Sequence, residues 1–273
     1  MKDGILKRLY NLIQTLNKDP LTFKKAVLLC FYAEGIRFAA IFIFGLFNMS
    51  FGFVPDILYL ATVLIIARGM GKGELSRIFA WRNVPVPVFA GIMVMFFGLE
   101  VITSELRNLF QMLLPIPEGF FDGLFYTPRN VFLMFIASCL FPGFTEEVFF
   151  RGVIARKFFR SYSPRKAVLL SAALFGIMHI NPWQMTNAFL GGIFYGWLYR
   201  RYKSIWLCML THAYNNFIAS FVPFPYVTVG NSGYPRMWRH PLWFDILGLV
   251  LFGLGLLTVI VLSRNENAKA RKA

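Results

Sequence analysis

Long apolar segments separated by short polar loops dominate the hydropathy pattern of the chain. Each segment is close to the ~20 residues that an α-helix needs to cross the hydrocarbon layer of a membrane. The eight segments cover residues 26–48, 52–67, 84–103, 131–150, 166–180, 184–199, 204–222 and 242–262. The pattern therefore predicts an all-α, polytopic membrane protein with about eight transmembrane helices.

The composition supports lipid as the solvent of the fold. Of the 273 residues, 57% are hydrophobic, and the mean hydropathy is +0.58. A soluble domain of this length does not bury that much apolar surface. We therefore expect a single transmembrane domain at residues 26–263, in contact with the lipid bilayer.

The strong positive charge serves membrane orientation and not nucleic-acid binding. The formal net charge is +15, and most of the 28 Lys and Arg residues lie in alternate connections. These are residues 1–25, 68–82, 151–166, 200–203 and 264–273. Because basic loops stay on the cytoplasmic side, both termini are predicted to be cytoplasmic, and no nucleic-acid partner is expected.

The ends of the chain and two loops have their own patterns. Residues 1–25 are predicted to form an amphipathic cytoplasmic segment, and residues 264–273 a basic cytoplasmic tail. The loops 104–130 and 223–241 are predicted to lie at the outer interface, because they mix aromatic or apolar residues with Pro. The apolar face of the first segment consists of Leu6, Leu9, Leu12 and Ile13.

Two adjacent carboxylates, Glu146 and Glu147, interrupt an apolar run and are followed by Arg151. Hydrocarbon solvates such groups poorly, so they are expected to have a function. No helix breaker follows until residue 161, so the helix is predicted to run to about residue 160. A returning helix from Pro164 then places His179 at the height of Glu146, about 25 Å from the turn at about 1.5 Å per residue.

The spacing of these groups suggests how they pair. Glu147 and Arg151 are four residues apart, share a helix face and are expected to form an ion pair. Glu146 then has no local partner and is the better general base. Phe175 precedes His179 by four residues and is expected to pack beneath it. His212 and Asn216 are also four apart and can direct donors at one point, as an oxyanion requires. We expect these groups to converge in a cavity open to the cytoplasm.

These residues form three ordered motifs that resemble those of the CAAX protease and bacteriocin-processing (CPBP, or Abi) intramembrane proteases. The first is Glu146-Glu-Val-Phe-Phe-Arg151, similar to E-E-x-x-x-R. The second is Phe175-Gly-Ile-Met-His179, similar to F-x-x-x-H, and the third is His212-Ala-Tyr-Asn-Asn216, similar to H-x-x-x-N. The resemblance covers about residues 130–220, the predicted motif core. It extends to the type II CAAX prenyl endopeptidases and implies an eight-helix α-fold and endopeptidase activity.

The resemblance also implies a role for each residue. Glu146 and His179 would activate the attacking water, and His212 and Asn216 would stabilise the oxyanion. Glu147 and Arg151 would orient the site. Members of the family have been described as metalloproteases and as metal-independent glutamate proteases. An asparagine suits an oxyanion better than a zinc ion, so no obligatory metal is predicted. If zinc is bound, its ligands would be Glu146, His179 and His212.

The family resemblance implies a peptide or lipidated-protein substrate, either a CAAX-type prenyl-protein or a bacteriocin-like membrane peptide. The expected location is a prokaryotic cytoplasmic membrane, and the sequence does not indicate an oligomeric state. Two alternatives remain open: a transporter lined by the same polar residues, and a non-catalytic immunity or scaffold protein. Two structural features are also predicted, namely an ion pair of Glu34 with Arg37 and close helix packing at Gly192 and Gly196.

Overall fold

The computed structural model describes residues 11, 13, 15, 20–47, 53–117, 130–222 and 239–270. Within these ranges every long regular element is a helix, and no strand occurs. The helices are α1 (Phe23–Leu46), α2 (Val54–Gly69), α3 (Glu74–Ile78), α4 (Val86–Leu113), α5 (Val131–Ser161), α6 (Pro164–Ile177), α7 (Pro182–Tyr202), α8 (Ile205–Phe221) and α9 (Leu242–Ala270).

Four stretches of helix in the described residues are long and apolar enough to cross a membrane. They are Phe23–Phe44, Val86–Leu113, Val131–Ser161 and Leu242–Leu262. The other four predicted spans also form helices, α2, α6, α7 and α8, which are shorter or less apolar. The all-helical fold and the membrane-spanning character predicted from the sequence are therefore confirmed.

Two predicted boundaries differ from the structure. Helix α4 continues ten residues beyond residue 103, because no Pro or Gly interrupts it before Pro115, so the predicted loop at 104–130 begins later. Helix α9 continues to Ala270, so the predicted basic tail is helical over most of its length. Of the predicted N-terminal apolar face only Ile13 is described, and it is buried against Gly69. Residues 118–129 and 223–238, which include most of the predicted outer loops, lie outside the described residues.

The chain divides into two compact units. The first comprises Met1–Arg82 and Phe125–Ala213, and the second comprises Asn83–Leu124 and Tyr214–Ala273. Helix α8 contributes its residues up to Ala213 to the first unit and the rest to the second.

In the first unit, α5 is one continuous helix with two π-helical segments, Ile136–Leu140 and Val148–Ala155. The seven residues between them, Phe141–Glu147, are α-helical and include Pro142, which has no N–H to donate to the preceding turn. The predicted continuation of this helix to about residue 160 is confirmed. Such π-helical turns are rare and frequently mark functional sites.

Helices α6 and α7 form a tightly packed hairpin. A Cβ atom added to Gly192 would lie 3.0 Å from the Cα atom of Ala172, and one added to Gly196 would lie 3.1 Å from Cγ1 of Val168. The prediction of close packing at these two glycines is therefore confirmed.

A buried polar cluster, here called the Glu74 cluster, joins α3 to α5. Glu74 of α3 is 4% exposed and accepts hydrogen bonds from Arg77, at 2.6 Å, and from Arg156 of α5. Burial raises the pKa of Glu74, but the hydrogen bonds and charge of Arg156, helped by Arg77, outweigh this effect and lower the pKa below its ordinary value.

In the second unit, α4 and α9 pack closely along a pair of glycine-lined faces. Gly98 of α4 lies directly against the backbone of Gly248 and Phe252, and Gly255 of α9 lies against the backbone of Gly91 and Met95. Glycine is needed at these positions because a Cβ atom would collide with the facing backbone. Tyr214 of α8 packs edge-on against Phe96 in the same unit, with ring centroids 6.4 Å apart.

Candidate active site

Glu147 and Arg151 form a fully buried ion pair one turn apart on α5. The two side chains are 0% exposed, and Nη1 of Arg151 donates to Oε1 of Glu147 at 2.8 Å. Nη2 of Arg151 donates to the carbonyl oxygen of Gly192 at 3.1 Å, which ties α5 to α7. The predicted ion pair is therefore confirmed. A pair held this deeply is costly to break, because removal of one partner leaves an uncompensated buried charge.

Aromatic rings enclose the guanidinium of Arg151. Its central carbon lies 4.5 Å from the ring centroid of Phe175 and 5.0 Å from that of Tyr195. Both distances are within the range of cation–π attraction. The rings exclude water from the ion pair and fix its position, since Phe175 is also packed edge-on against Phe150, 5.0 Å between centroids.

His179 lies just after the end of α6, in the turn that leads to α7. Its Nδ1 atom is 2.8 Å from the backbone oxygen of Phe175, and its ring packs edge-on against that phenyl ring at 4.9 Å. The predicted contact with Phe175 is therefore confirmed. A carbonyl oxygen only accepts hydrogen bonds, so Nδ1 carries the proton. The Nε2 atom of the neutral imidazole is then an acceptor.

The turn that holds His179 is strained. The next residue, Ile180, has a φ of 64°, a conformation that β-branched residues rarely adopt. A residue held in this way costs on the order of 1–3 kcal/mol, and such residues cluster at functional sites. Asn181 then begins α7, since its side-chain oxygen accepts from the N–H of Gln184 at 2.8 Å.

His212 of α8 contacts both glutamates. Its Nδ1 atom is 3.0 Å from Oε1 of Glu147, and its Nε2 atom is 3.9 Å from Oε2 of Glu146. The imidazole stacks on Tyr195, with centroids 5.1 Å apart and planes at 15°, and meets Phe175 edge-on at 5.7 Å. A carboxylate only accepts, so Nδ1 of His212 donates to Glu147.

The side chain of Glu146 is more exposed than that of Glu147 and makes fewer hydrogen bonds to the described residues. Its side chain is 13% exposed, whereas that of Glu147 is fully buried. The Oε2 atom of Glu146 is buried and has no hydrogen-bond partner among the described residues. A buried carboxylate oxygen of this kind normally has a partner, so it is suited to hold a water molecule or a substrate group.

A second charged cluster lies near Glu146 on α1 and α2. Nε of Arg37 is 3.0 Å from Oδ1 of Asp56, whereas its Nη1 atom is 3.7 Å from Oε2 of Glu34. The predicted Glu34–Arg37 pair therefore exists, but Asp56 is the closer partner and was missed. The charge of Arg37 also acts on Glu146. Asp56 lies on the next helix, so the spacing of residues along α1 could not predict this contact.

Asn216 lies one helical turn beyond His212 on α8 and belongs to the second unit. Its Oδ1 atom accepts a hydrogen bond from Nδ2 of Asn215 at 2.9 Å, which leaves its amide N–H groups to donate elsewhere. In the first unit the structure brings together Glu146, Glu147, Arg151 and His212, and Phe175 joins His179 to them. No pattern in the sequence predicted that Tyr195 stacks on His212.

The described residues contain one group of three metal-binding side chains whose ligand atoms all lie within 4.8 Å of one another, and it is Glu105, His240 and Asp245. Glu146, His179 and His212 do not form such a group, and no catalytic step is assigned to a metal here.

Apolar helices around a buried cluster of carboxylates, an arginine and two imidazoles define an integral membrane protein with a buried polar site. Residues 128–218 match the family model described as type II CAAX prenyl endopeptidase Rce1-like. This segment holds all three motifs, and the match supports the CAAX protease family expected from them. No curated protein and no solved structure matched the chain.

Proposed function

We propose that the protein is an intramembrane endopeptidase in which Glu146 and His179 activate a water molecule for attack on a peptide bond. The observation that carries the proposal is the buried Oε2 atom of Glu146. It has no hydrogen-bond partner in the described part of the chain, and it lies 3.9 Å from an imidazole nitrogen of His212. Oε1 of Glu147, one residue later, is engaged by Arg151 and His212. Its Oε2 atom also has no partner among the described residues, but the side chain of Glu147 is fully buried, whereas that of Glu146 is 13% exposed.

In the first step, water is held between the carboxylate of Glu146 and Nε2 of His179. Both groups accept hydrogen bonds and so orient the water, and Glu146 takes its proton as the water oxygen attacks the carbonyl carbon. The hydrogen bond from Nδ1 of His179 to the backbone oxygen of Phe175 fixes the tautomer in which Nε2 accepts from the water.

The second step requires donors for the oxyanion, and His212 and Asn216 supply them. His212 donates through Nε2 only when its ring carries both protons, since Nδ1 already donates to Glu147. Asn216 donates through its amide, whose oxygen is already occupied by Asn215. Collapse of the tetrahedral intermediate breaks the C–N bond, and the proton taken from water passes to the departing amine.

Glu147 and Arg151 are positioning residues in this scheme. Oε1 of Glu147 accepts from both Arg151 and His212, so the ion pair sets the orientation of the second imidazole. The link from Arg151 to the carbonyl of Gly192 holds α5 and α7 together at this point. The site thus separates two adjacent glutamates into one that reacts and one that orients.

The substrate we propose is a prenylated C-terminal peptide, because the family model that matches is that of CAAX prenyl endopeptidases. A bacteriocin-like membrane peptide is a second substrate class for the same reaction. The proposed topology has eight membrane helices, with both termini and the opening of the site on the cytoplasmic side of a prokaryotic inner membrane. The distribution of Lys and Arg between alternate connections supports this orientation.

The test is cleavage by purified full-length protein in liposomes. Peptides that end in a prenylated Cys followed by three residues are incubated with the protein, and mass spectrometry identifies the broken bond. We expect cleavage after the prenylated Cys, lost in His179→Ala and retained in Glu266→Gln, a carboxylate control in the C-terminal part of α9. If neither prenylated nor unmodified membrane peptides are cleaved, the proposed function is wrong.

A further inference from the structure

Another polar cluster lies in the second unit and shares no residue with the candidate site. It joins the end of α4 to the beginning of α9 through Ser104, Glu105, His240 and Asp245. The side chain of His240 is completely buried, that of Glu105 is 13% exposed, and that of Asp245 is 31% exposed. Nothing in the proposed peptidase mechanism uses these residues.

The hydrogen bonds around His240 determine which of its nitrogens carries a proton. Oγ of Ser104 lies 2.7 Å from the backbone oxygen of Val101 and 3.3 Å from Nε2 of His240. A hydroxyl has one proton, and the shorter contact, to a carbonyl that only accepts, takes it. Ser104 can therefore only accept from His240, so Nε2 carries a proton.

The other ring nitrogen then faces two carboxylates. Nδ1 of His240 is 2.9 Å from Oδ1 of Asp245 and 3.8 Å from Oε2 of Glu105. In the neutral imidazole with its proton on Nε2, Nδ1 carries a lone pair. This lone pair and the two carboxylate oxygens repel one another. The arrangement requires a positive charge at this point, either a second proton on the ring or a cation between the three atoms.

The geometry points to the cation: we propose that Glu105, His240 and Asp245 bind a first-row divalent metal ion such as Zn²⁺. Their ligand atoms all lie within 4.8 Å of one another. When a metal lies about 2.1 Å from each of three ligand atoms, those atoms are roughly 3 to 4 Å from one another. The distances from Nδ1 of His240 to the two carboxylates are close to this range. One imidazole and two carboxylates are a donor set that zinc accepts.

The surrounding contacts orient the ligands as a metal site requires. Ser104 accepts from Nε2 of His240, which directs the lone pair of Nδ1 toward the carboxylates. Oε2 of Glu105 also accepts from the backbone N–H of His240 at 2.9 Å, and its Oε1 atom is 3.6 Å from Nε of Arg239. Asp245 is the most exposed ligand, so the ion and its coordinated water enter from that side. The metal would fasten the residues before α9 to α4.

The experiment uses purified full-length protein in detergent, stripped with a chelator and then titrated with Zn²⁺. Bound zinc is measured by elemental mass spectrometry after desalting, and the thermal unfolding midpoint is measured with and without zinc. We expect one equivalent of zinc and a raised midpoint in the wild type, with both effects lost in His240→Gln and in Asp245→Asn. Ser104→Ala should bind zinc about 10- to 100-fold more weakly, as loss of an orienting contact does.

His179→Gln is the control for the candidate active site, and it should keep its equivalent of zinc. Asp245→Asn removes the most exposed ligand, so it is the variant to use if His240→Gln does not fold. The proposal is overturned if the wild type binds no more zinc than Asp245→Asn, which would show that a second proton on His240 supplies the charge. It is equally overturned if His179→Gln abolishes zinc binding and His240→Gln does not. Neither result depends on peptide cleavage.

Discussion

Oε1 of Glu147 accepts hydrogen bonds from two side chains at once, Nη1 of Arg151 at 2.8 Å and Nδ1 of His212 at 3.0 Å. The second contact joins the E-E-x-x-x-R motif on α5 to the H-x-x-x-N motif on α8. The tautomer of His212 follows from it, because Nδ1 must donate to the carboxylate. The adjacent Glu146 makes no such bond through its Oε2 atom, and this difference separates the expected effects of substitutions at the two positions.

Glu147→Gln should destabilise the protein strongly. The substitution keeps the shape of the side chain but leaves the buried guanidinium of Arg151 without a counter-charge, a loss of about 3 kcal/mol or more. Glu146→Gln should change the free energy of unfolding by less than about 1 kcal/mol, because Oε2 of Glu146 has no bond to lose. Denaturant titration of both variants in detergent measures the difference, and equal stability of the two variants would contradict the assignment.

Gly192→Ala should impair stability and activity together. The added Cβ atom would lie 3.0 Å from Cα of Ala172 and 3.2 Å from Cδ1 of Phe175, so α6 and α7 must separate or the phenyl ring must move. Overpacking of this kind costs about 1–3 kcal/mol, and movement of Phe175 displaces both imidazoles. Gly35→Ala in α1 is the matched control, since nothing lies within 4 Å of its Cβ position. Thermal unfolding and cleavage rates of the two variants provide the comparison.

The Glu74 cluster should make the free energy of unfolding dependent on pH in the acid range. The pKa of Glu74 is lowered below its ordinary value in the folded protein. A lowered folded pKa adds stability that is fully present above the unfolded pKa and is lost as the pH falls through the folded pKa. The wild type should therefore be more stable than Glu74→Gln at pH 7, and the gap should close progressively below about pH 4.5. A gap in unfolding midpoint that stays constant from pH 7 to pH 3 would rule out this contribution.

Arg37 and Asp56 should be energetically coupled. Arg37→Met removes the cation that lies among three carboxylates, Glu34, Asp56 and Glu146, and should destabilise the protein by about 3 kcal/mol. In the double variant Arg37→Met with Asp56→Asn, one of the unbalanced charges is also removed, so the loss should be smaller than the sum of the two single losses. A double-mutant cycle on the free energy of unfolding measures this coupling, and strict additivity would show that the two side chains act independently.

Local patterns predicted those parts of the protein that depend on spacing along one helix. The apolar runs located the helices, and the four-residue spacing predicted the Glu147–Arg151 pair and the packing of Phe175 beneath His179, both confirmed. The glycine spacing at 192 and 196 predicted close packing for the same reason. Each of these relationships is fixed by the helical repeat alone.

Individual contacts between helices that are distant in sequence were not predicted. Nothing in the local pattern indicated that Nδ1 of His212 meets Glu147, that Arg37 prefers Asp56, or that Arg151 reaches the carbonyl of Gly192. These contacts depend on how the helices pack and not on any one of them. The ends of the helices were also uncertain. Apolar content does not mark the end of a helix whose last turns are polar, as in α9.

The central claim is that Glu146, and not Glu147, acts as the general base. The most direct measurement is the single-turnover cleavage rate of a prenylated C-terminal peptide by wild type and by Glu146→Gln in the same liposomes, with folding verified by the unfolding midpoint. We predict a loss of at least about 100-fold in rate, the lower range for removal of a general base, with an unchanged midpoint. A Glu146→Gln protein that is folded and cleaves at a rate close to that of the wild type would contradict the account.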